Sequence, residues 1–264
     1  MTYVQSIPTG LDPRTTEDVT AVATADPPGA PATREELAKE NEELRAKVDF
    51  LNKKLQLVGS ITRHDVLNQL TAVVGYNELL DMMVKDEKLK SFIEKEKQAI
   101  EKIRRQFQFA KDYQNIAVEP PRWQNIHNVV LRVQEDINVK NIRVIDETGP
   151  AVILADPLFE KVIFHLIENA VRHGATTSEI HIAVHEGDGS AILVVGNNGA
   201  GIPAGEKEKI FERGYGKGTG WGLFLAREIL AVTGMGITET GDPGNGARFE
   251  IALPGGTFRM GGCS

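Results

Sequence analysis

A single cysteine, Cys263, is all that the 264-residue chain contains, so no intrachain disulfide holds it together and a reducing compartment suits it. Basic charge is also short. Thirty Lys and Arg stand against 37 Asp and Glu, a formal net charge of -7 with no basic stripe to offset it, which argues against broad nucleic-acid binding. No apolar run has the length a bilayer demands, and residues 1–32 lack the apolar centre of a signal peptide. A soluble, cytoplasmic protein without a membrane segment is expected. Residues 1–32, rich in Thr, Pro, Ala and Asp and without apolar period, read as a disordered tail.

What is present suffices for more than one domain: 41% of residues are apolar and 25% charged, both ordinary for a folded protein. Over residues 33–59, Leu37, Leu44, Leu51 and Val58 recur every seventh position, and Asn41, Val48 and Leu55 fill the other seam. This pattern predicts a parallel two-stranded coiled coil, with Asn41 at an a position fixing register. Residues 60–119 read as two helices, about 61–84 and 89–116, joined by Lys85-Asp86-Glu87-Lys88. One hairpin buries too little to be stable, so pairing of two as a dimeric four-helix bundle is expected. Pro120-Pro121 ends the helix and marks a domain boundary and hinge.

Within the first helix the apolar stripe runs through Ile61, Val66, Leu70, Val73, Leu80 and Val84. His64 lies off it and should face water, with Asp65 next to it and Asn68 one turn on. A carboxylate that orients one ring nitrogen leaves the other free as a nucleophile near neutral pH.

Residues 120–258 turn to mixed α and β, an α/β sandwich in an α+β chain. Residues 123–136, 157–173 and 222–233 read as helices. Residues 142–145, 152–154, 180–184, 192–195 and 248–253 read as strands, the last of them final, and residues 259–264 as a flexible tail. Three clusters here carry chemistry. Glu168-Asn169-Ala170-Val171-Arg172-His173 ends a helix, offering an amide oxygen for Mg²⁺ and a guanidinium for phosphate. Asn197-Asn198-Gly199-Ala200-Gly201 follows a strand, where glycines let backbone approach a flat ligand. Gly216-Lys217-Gly218-Thr219-Gly220-Trp221-Gly222 leads into a helix whose first N–H groups suit phosphates.

In this order, the sequence resembles the sensor histidine kinases of two-component signalling, over roughly residues 61–258. His64-Asp65-Val66-Leu67-Asn68 is similar to the phosphoacceptor box, and residues 165–173 to the N box. Residues 197–203 and 218–222 are similar to the two glycine boxes, and Ile210-Phe211-Glu212-Arg213 to the F box. The run Phe211-Glu212-Arg213-Gly214-Tyr215-Gly216-Lys217 is most like archaeal-type members. The resemblance implies a dimerisation bundle followed by a Bergerat-type ATP-binding domain, with residues 205–217 as a mobile lid. It implies that His64 is phosphorylated with Asp65 as base and orienter, and that a response-regulator receiver domain takes the phosphoryl group. It also implies that Asn68 places water for regulator dephosphorylation. Nucleotide contacts would come from Asn169 (also the Mg²⁺ ligand), Arg172, His173, Asn197, Gly199, Gly201, Lys217, Gly218, Thr219, Gly220, Gly222 and Leu223.

The chain departs from the family at His165, the first residue of the N box, and at Trp221, which is bulkier than the usual apolar residue beside the phosphates. It departs most consequentially at Asn197, where the family has an Asp that accepts from the adenine amine. A dimeric signalling scaffold or phosphatase with impaired ATP binding is the alternative. A gyrase-like or anti-sigma-type ATPase is a lesser one, since it lacks the histidine helix joined to a coiled coil.

Overall fold

The computed structural model describes residues 33–137, 142–173, 176–187, 189–216 and 219–261. The expected N-terminal tail, Lys217 and Gly218 lie outside them. Two compact units divide the chain, Met1–Lys53 and Lys54–Ser264. In the first, the described residues belong to helix α1 (Arg34–Met83). Thr33 starts that helix reciprocally: its hydroxyl accepts from Glu36 N–H, while Glu36 accepts from Thr33 N–H at 2.8 Å. The seam leucines Leu37, Leu44 and Leu51 are exposed along this single chain.

In the second unit, α1 continues to Met83, and helix α2 (Glu87–Asn115) returns beside it. Asp86 caps α2, accepting from Lys88 and Leu89 N–H at 2.8 and 3.0 Å. The hairpin is held by buried Leu70, Ile93 and Ile100 and by Lys97, which donates to Asp81 at 2.6 Å. Of the stripe expected to be buried, only Leu70 is. Ile61, Val73 and Leu80 remain about half exposed, because two helices cover only one side of each other.

The rest is a sandwich. Five strands form a mixed sheet in the order β2 (Arg143–Glu147), β4 (Glu179–Gly187), β5 (Ser190–Asn197), β7 (Arg248–Leu253) and β6 (Gly236–Glu239). The β2–β4 pair is parallel and the others antiparallel. Helices α3 (Ile126–Asp136), α4 (Phe159–His173) and α5 (Gly222–Ala231) share its apolar core. Alternation sets the buried side of the sheet: Ile180 and Ile182 of β4, and Phe249, Ile251 and Leu253 of β7, meet Phe159, Ile163 and Leu166 of α4. A smaller antiparallel sheet joins β1 (Arg122–Asn125), β3 (Ala151–Ala155) and β8 (Phe258–Met260).

Three local expectations change. Trp123 lies in strand β1 rather than a helix, because Asn125 accepts from Asn128 N–H at 2.9 Å and starts α3 only there. Strand β6 fills the sheet edge where none was expected. Arg259 and Met260, expected in a flexible tail, belong to β8, which pairs with β3, so residues 248–253 are not the last strand. Among the described residues, no helix is long and apolar enough to cross a membrane.

The exit from α2 is fastened before the prolines. Ile116 packs on the sandwich core, and Ala117, in left-handed backbone at φ 58°, donates its N–H to Asp156 at 2.8 Å. Asp156 is 1% exposed and also accepts from Leu158 N–H at 2.8 Å. Asp156→Ala removes the acceptor that both donors share, and each lost hydrogen bond at these exposed or partly buried donors costs about 0.5–1.5 kcal/mol. We expect its urea midpoint to fall clearly while Asp156→Asn falls less; equal midpoints for Asp156→Ala and the native chain would contradict this role.

Candidate active site

His64 stands on the exposed side of α1, its side chain 74% accessible. Its Nδ1 lies 3.1 Å from Asp65 Oδ1; in the tautomer that carries Nδ1–H, Asp65 accepts from it and Nε2 has the lone pair. Asn68 lies one turn on, its Nδ2 3.4 Å from each ring nitrogen. All three residues sit together as the sequence pattern requires. The ring also faces a cleft between α1 and α2, lined in part by Arg63, Glu101, Arg104, Arg105 and Lys111. Those α2 cations were not foreseen, because they lie about 40 positions downstream.

Helix α4 presents the second group. Its buried face is Phe159, Val162, Ile163, Leu166 and Ile167, which turns His165, Glu168, Asn169 and Arg172 to the other side. Glu168 is the centre of a charge network: Arg172 lies 3.1 Å away, His165 Nδ1 3.6 Å and Arg105 of α2 3.8 Å. The His165 ring first, then the Arg172 and Arg105 guanidiniums, hold the Glu168 carboxyl below its ordinary range despite partial burial. Arg105 therefore belongs both to the His64 cleft and to the α4 network.

Asn169 is half-buried, and its amide has no hydrogen-bond partner among the described residues. No group of three or more His, Cys, Asp or Glu among those residues could hold a metal alone. One free amide oxygen fits Mg²⁺ only as a shared ligand, so Asn169 would hold the ion together with phosphate oxygens and water. His173 ends α4, and its side chain lies outside the described residues.

Around this face the glycines are sterically fixed. Gly222 opens α5, where a Cβ would stand 2.9 Å from His165 Nδ1. Trp221 precedes it without a side-chain cap, so the first N–H groups of α5 stay available to phosphate oxygens. Gly220 has φ 66°, and a Cβ there would clash with the Gly214 carbonyl carbon. Thr219 is half-buried beside it, and Leu223 packs on the sandwich core. The Trp221 ring packs on Phe109 of α2, centroids 4.5 Å apart, with Phe224 and Tyr113 completing an aromatic cluster. The expected lid is anchored by Lys207, 3.0 Å from buried Glu239, and by Phe211, edge-on to Phe249.

Asn197 ends β5, half-buried, with buried Gly199 and then Gly201 after it. Its Oδ1 accepts from Gly199 N–H at 2.9 Å. The adjacent Asn198 does different work, accepting from Ser178 and Glu179 N–H at 3.0 Å and closing the loop before β4.

Residues 155–257 match the family described as "Histidine kinase-, DNA gyrase B-, and HSP90-like ATPase". Sensor protein KdpD of Escherichia coli (strain K12) is 39% identical over 105 residues, 37% of this chain and 12% of KdpD. Alginate biosynthesis sensor protein KinB of Pseudomonas aeruginosa is 39% identical over 100 residues, 36% of this chain and 17% of KinB. The chain thus spans under a fifth of the length of these two relatives. Full-length ShkA, solved in complex with AMPPNP, shares the fold at a TM-score of 0.58 and 17% identity, covering 78% of this chain and 46% of ShkA. The chain thus contains a histidine kinase-, gyrase B- and HSP90-like ATPase domain homologous to those of bacterial two-component sensor kinases.

Proposed function

We propose that this chain is an ATP-dependent protein-histidine kinase that phosphorylates its own His64 and passes the phosphoryl group to an aspartate of a response-regulator receiver domain. The observation that carries the reading is the exposed imidazole with Asp65 on Nδ1 and only the long 3.4 Å contact of Asn68 at Nε2, in one chain with the ATPase domain. Nε2 attacks the γ-phosphorus in line, the Nε2–P bond forms, the bond to the β,γ-bridging oxygen breaks, and ADP leaves. Asp65, accepting from Nδ1–H, fixes the tautomer and offsets the positive charge the ring gains. Mg²⁺, when bound, neutralises phosphate charge. Asn169 is its protein ligand in this reading, with Arg172 as counter-charge and the N–H groups near Gly220 and Gly222 as phosphate donors. Lys217, Gly218 and His173 are carried by the resemblance alone.

The exposed apolar faces of Leu67, Val73, Leu80, Phe92 and Ile103, and the seven-residue seam of α1, support a parallel homodimer with a four-helix bundle. The run from Phe211 supports an archaeal-type member. Asn68 is assigned to placing the water that dephosphorylates the regulator. The alternative, a dimeric scaffold or phosphatase with impaired ATP binding, is favoured by one observation: Gly199 N–H holds Asn197 Oδ1, so the residue offers NH₂ where the family has a second carboxylate oxygen.

Incubation with radiolabelled ATP and Mg²⁺ tests the reading. We expect acid-labile, base-stable label that His64→Gln abolishes while nucleotide affinity stays nearly unchanged; label surviving in His64→Gln would overturn the assignment. Asn197→Asp replaces a misdirected donor by a charged acceptor, a difference of about 1–2 kcal/mol, or roughly tenfold in affinity. Calorimetry with a Mg²⁺-bound ATP analogue should show that gain, and no gain would remove Asn197 from the base.

A further inference from the structure

The orientation of the Asn197 amide is chemically determined. Gly199 N–H is a donor 2.9 Å away, so the atom facing it must be the acceptor Oδ1, because the flipped amide would set NH₂ against N–H. The contact is local, two residues along the chain, and it closes the turn that leads to Gly199 and Gly201. The turn itself is tightly packed. Gly246, at φ 95°, passes so close that a Cβ would clash with the Asn197 carbonyl oxygen, and Gly244 N–H donates to Ala200 O at 2.9 Å. Asn197 N–H donates to Ala247 O at 2.9 Å. Backbone and side chain are thus both held, and rotating the amide breaks the turn. Among the described residues no acceptor pairs with Nδ2, so the residue presents a fixed, unpartnered N–H pair.

We infer that Asn197 inverts the base preference of the site, so that the chain binds a 6-oxopurine nucleoside triphosphate more tightly than ATP. This rests on the reading above that residue 197 meets the six-position of the base. Adenine carries an amine there, a donor that confronts the Nδ2 donor. A 6-oxopurine carries a carbonyl oxygen, which accepts from it. Sites built around one hydrogen-bond polarity reject the opposite one, because both groups are left buried and unpaired. A carboxylate at this position has no donor to offer and gives the opposite order. One atom of Asn197 therefore chooses between the two purine classes, while the phosphate end is untouched.

The test uses the full chain carrying His64→Gln, so that no phosphoryl group moves, with Mg²⁺ and three nucleotides: ATP, ITP and purine riboside triphosphate. ITP places a carbonyl at the six-position. Purine riboside triphosphate has no substituent there and keeps the neighbouring ring nitrogen of adenine as an acceptor. With Asn197 we expect ITP to bind about tenfold more tightly than ATP, and purine riboside triphosphate to bind better than ATP because the donor clash is gone. With Asn197→Asp both orders should reverse. ATP bound more tightly than ITP by the native chain, or ratios unmoved by Asn197→Asp, would overturn the inference while nucleotide binding itself keeps the kinase reading. Failure of all three nucleotides to bind would overturn both.

Discussion

The two-sidedness of α4 is the constraint on which the nucleotide half depends. Phe159, Val162, Ile163, Leu166 and Ile167 are almost fully buried, and that burial sets the rotation of the helix about its axis. Each such side chain contributes about 1.5–3 kcal/mol when removed from water, far more than any exposed ion pair on the opposite side. Rotation is therefore decided by the core, and the polar face follows. His165, Glu168, Asn169 and Arg172 emerge together on the opposite side, His165 against Gly222 at the start of α5 and Glu168 towards Arg105 of α2. The glycines complete the arrangement by steric necessity: Gly222 against His165, Gly220 against Gly214.

The hairpin follows a different logic. Its buried residues are few, and its charged and aromatic contacts run to the sandwich: Arg105 to Glu168, and Phe109 to Trp221. Asp156 fastens the chain where α2 ends. The helical hairpin carrying His64 and the polar face of α4 are therefore linked by an ion pair, an aromatic cluster and a pinned turn. An ion pair with partners this accessible contributes little to stability. Its consequence is positional, since Arg105 lines the His64 cleft and also meets the N-box carboxylate.

Much of this was legible in the sequence, for physical reasons. The heptad leucines and the position of His64 off the apolar stripe depend only on helical period. The glycine turns were legible because few other residues fit such backbone. The two-layer sandwich followed from apolar strands alternating with amphipathic helices. Strand β1 was missed because residues 123–136 keep a helical apolar period past the true start; Asn125, a capping residue, was the available signal. Strands β6 and β8 are four and three residues long, too short for alternation to register. The Arg105–Glu168 and Phe109–Trp221 contacts join residues far apart in the chain, and no local pattern encodes them. Trp221 read as a bulky intruder beside the phosphates, yet its ring packs at a tilt on Phe109 of α2. Asn197 was recognised as a departure, but the Gly199 N–H that fixes its amide became visible only with the turn in place.

In the kinase reading, Asp65 on Nδ1 leaves Nε2 of His64 as the atom that takes the phosphoryl group. Heteronuclear NMR of the intact chain, labelled with ¹⁵N at histidine and charged with Mg²⁺ and nucleoside triphosphate, measures this directly through phosphorus–nitrogen coupling. One phosphorus signal coupled to Nε2 of His64, and absent from His64→Gln, is expected. Coupling to Nδ1, phosphate on another residue, or no protein-bound phosphorus at all would contradict it.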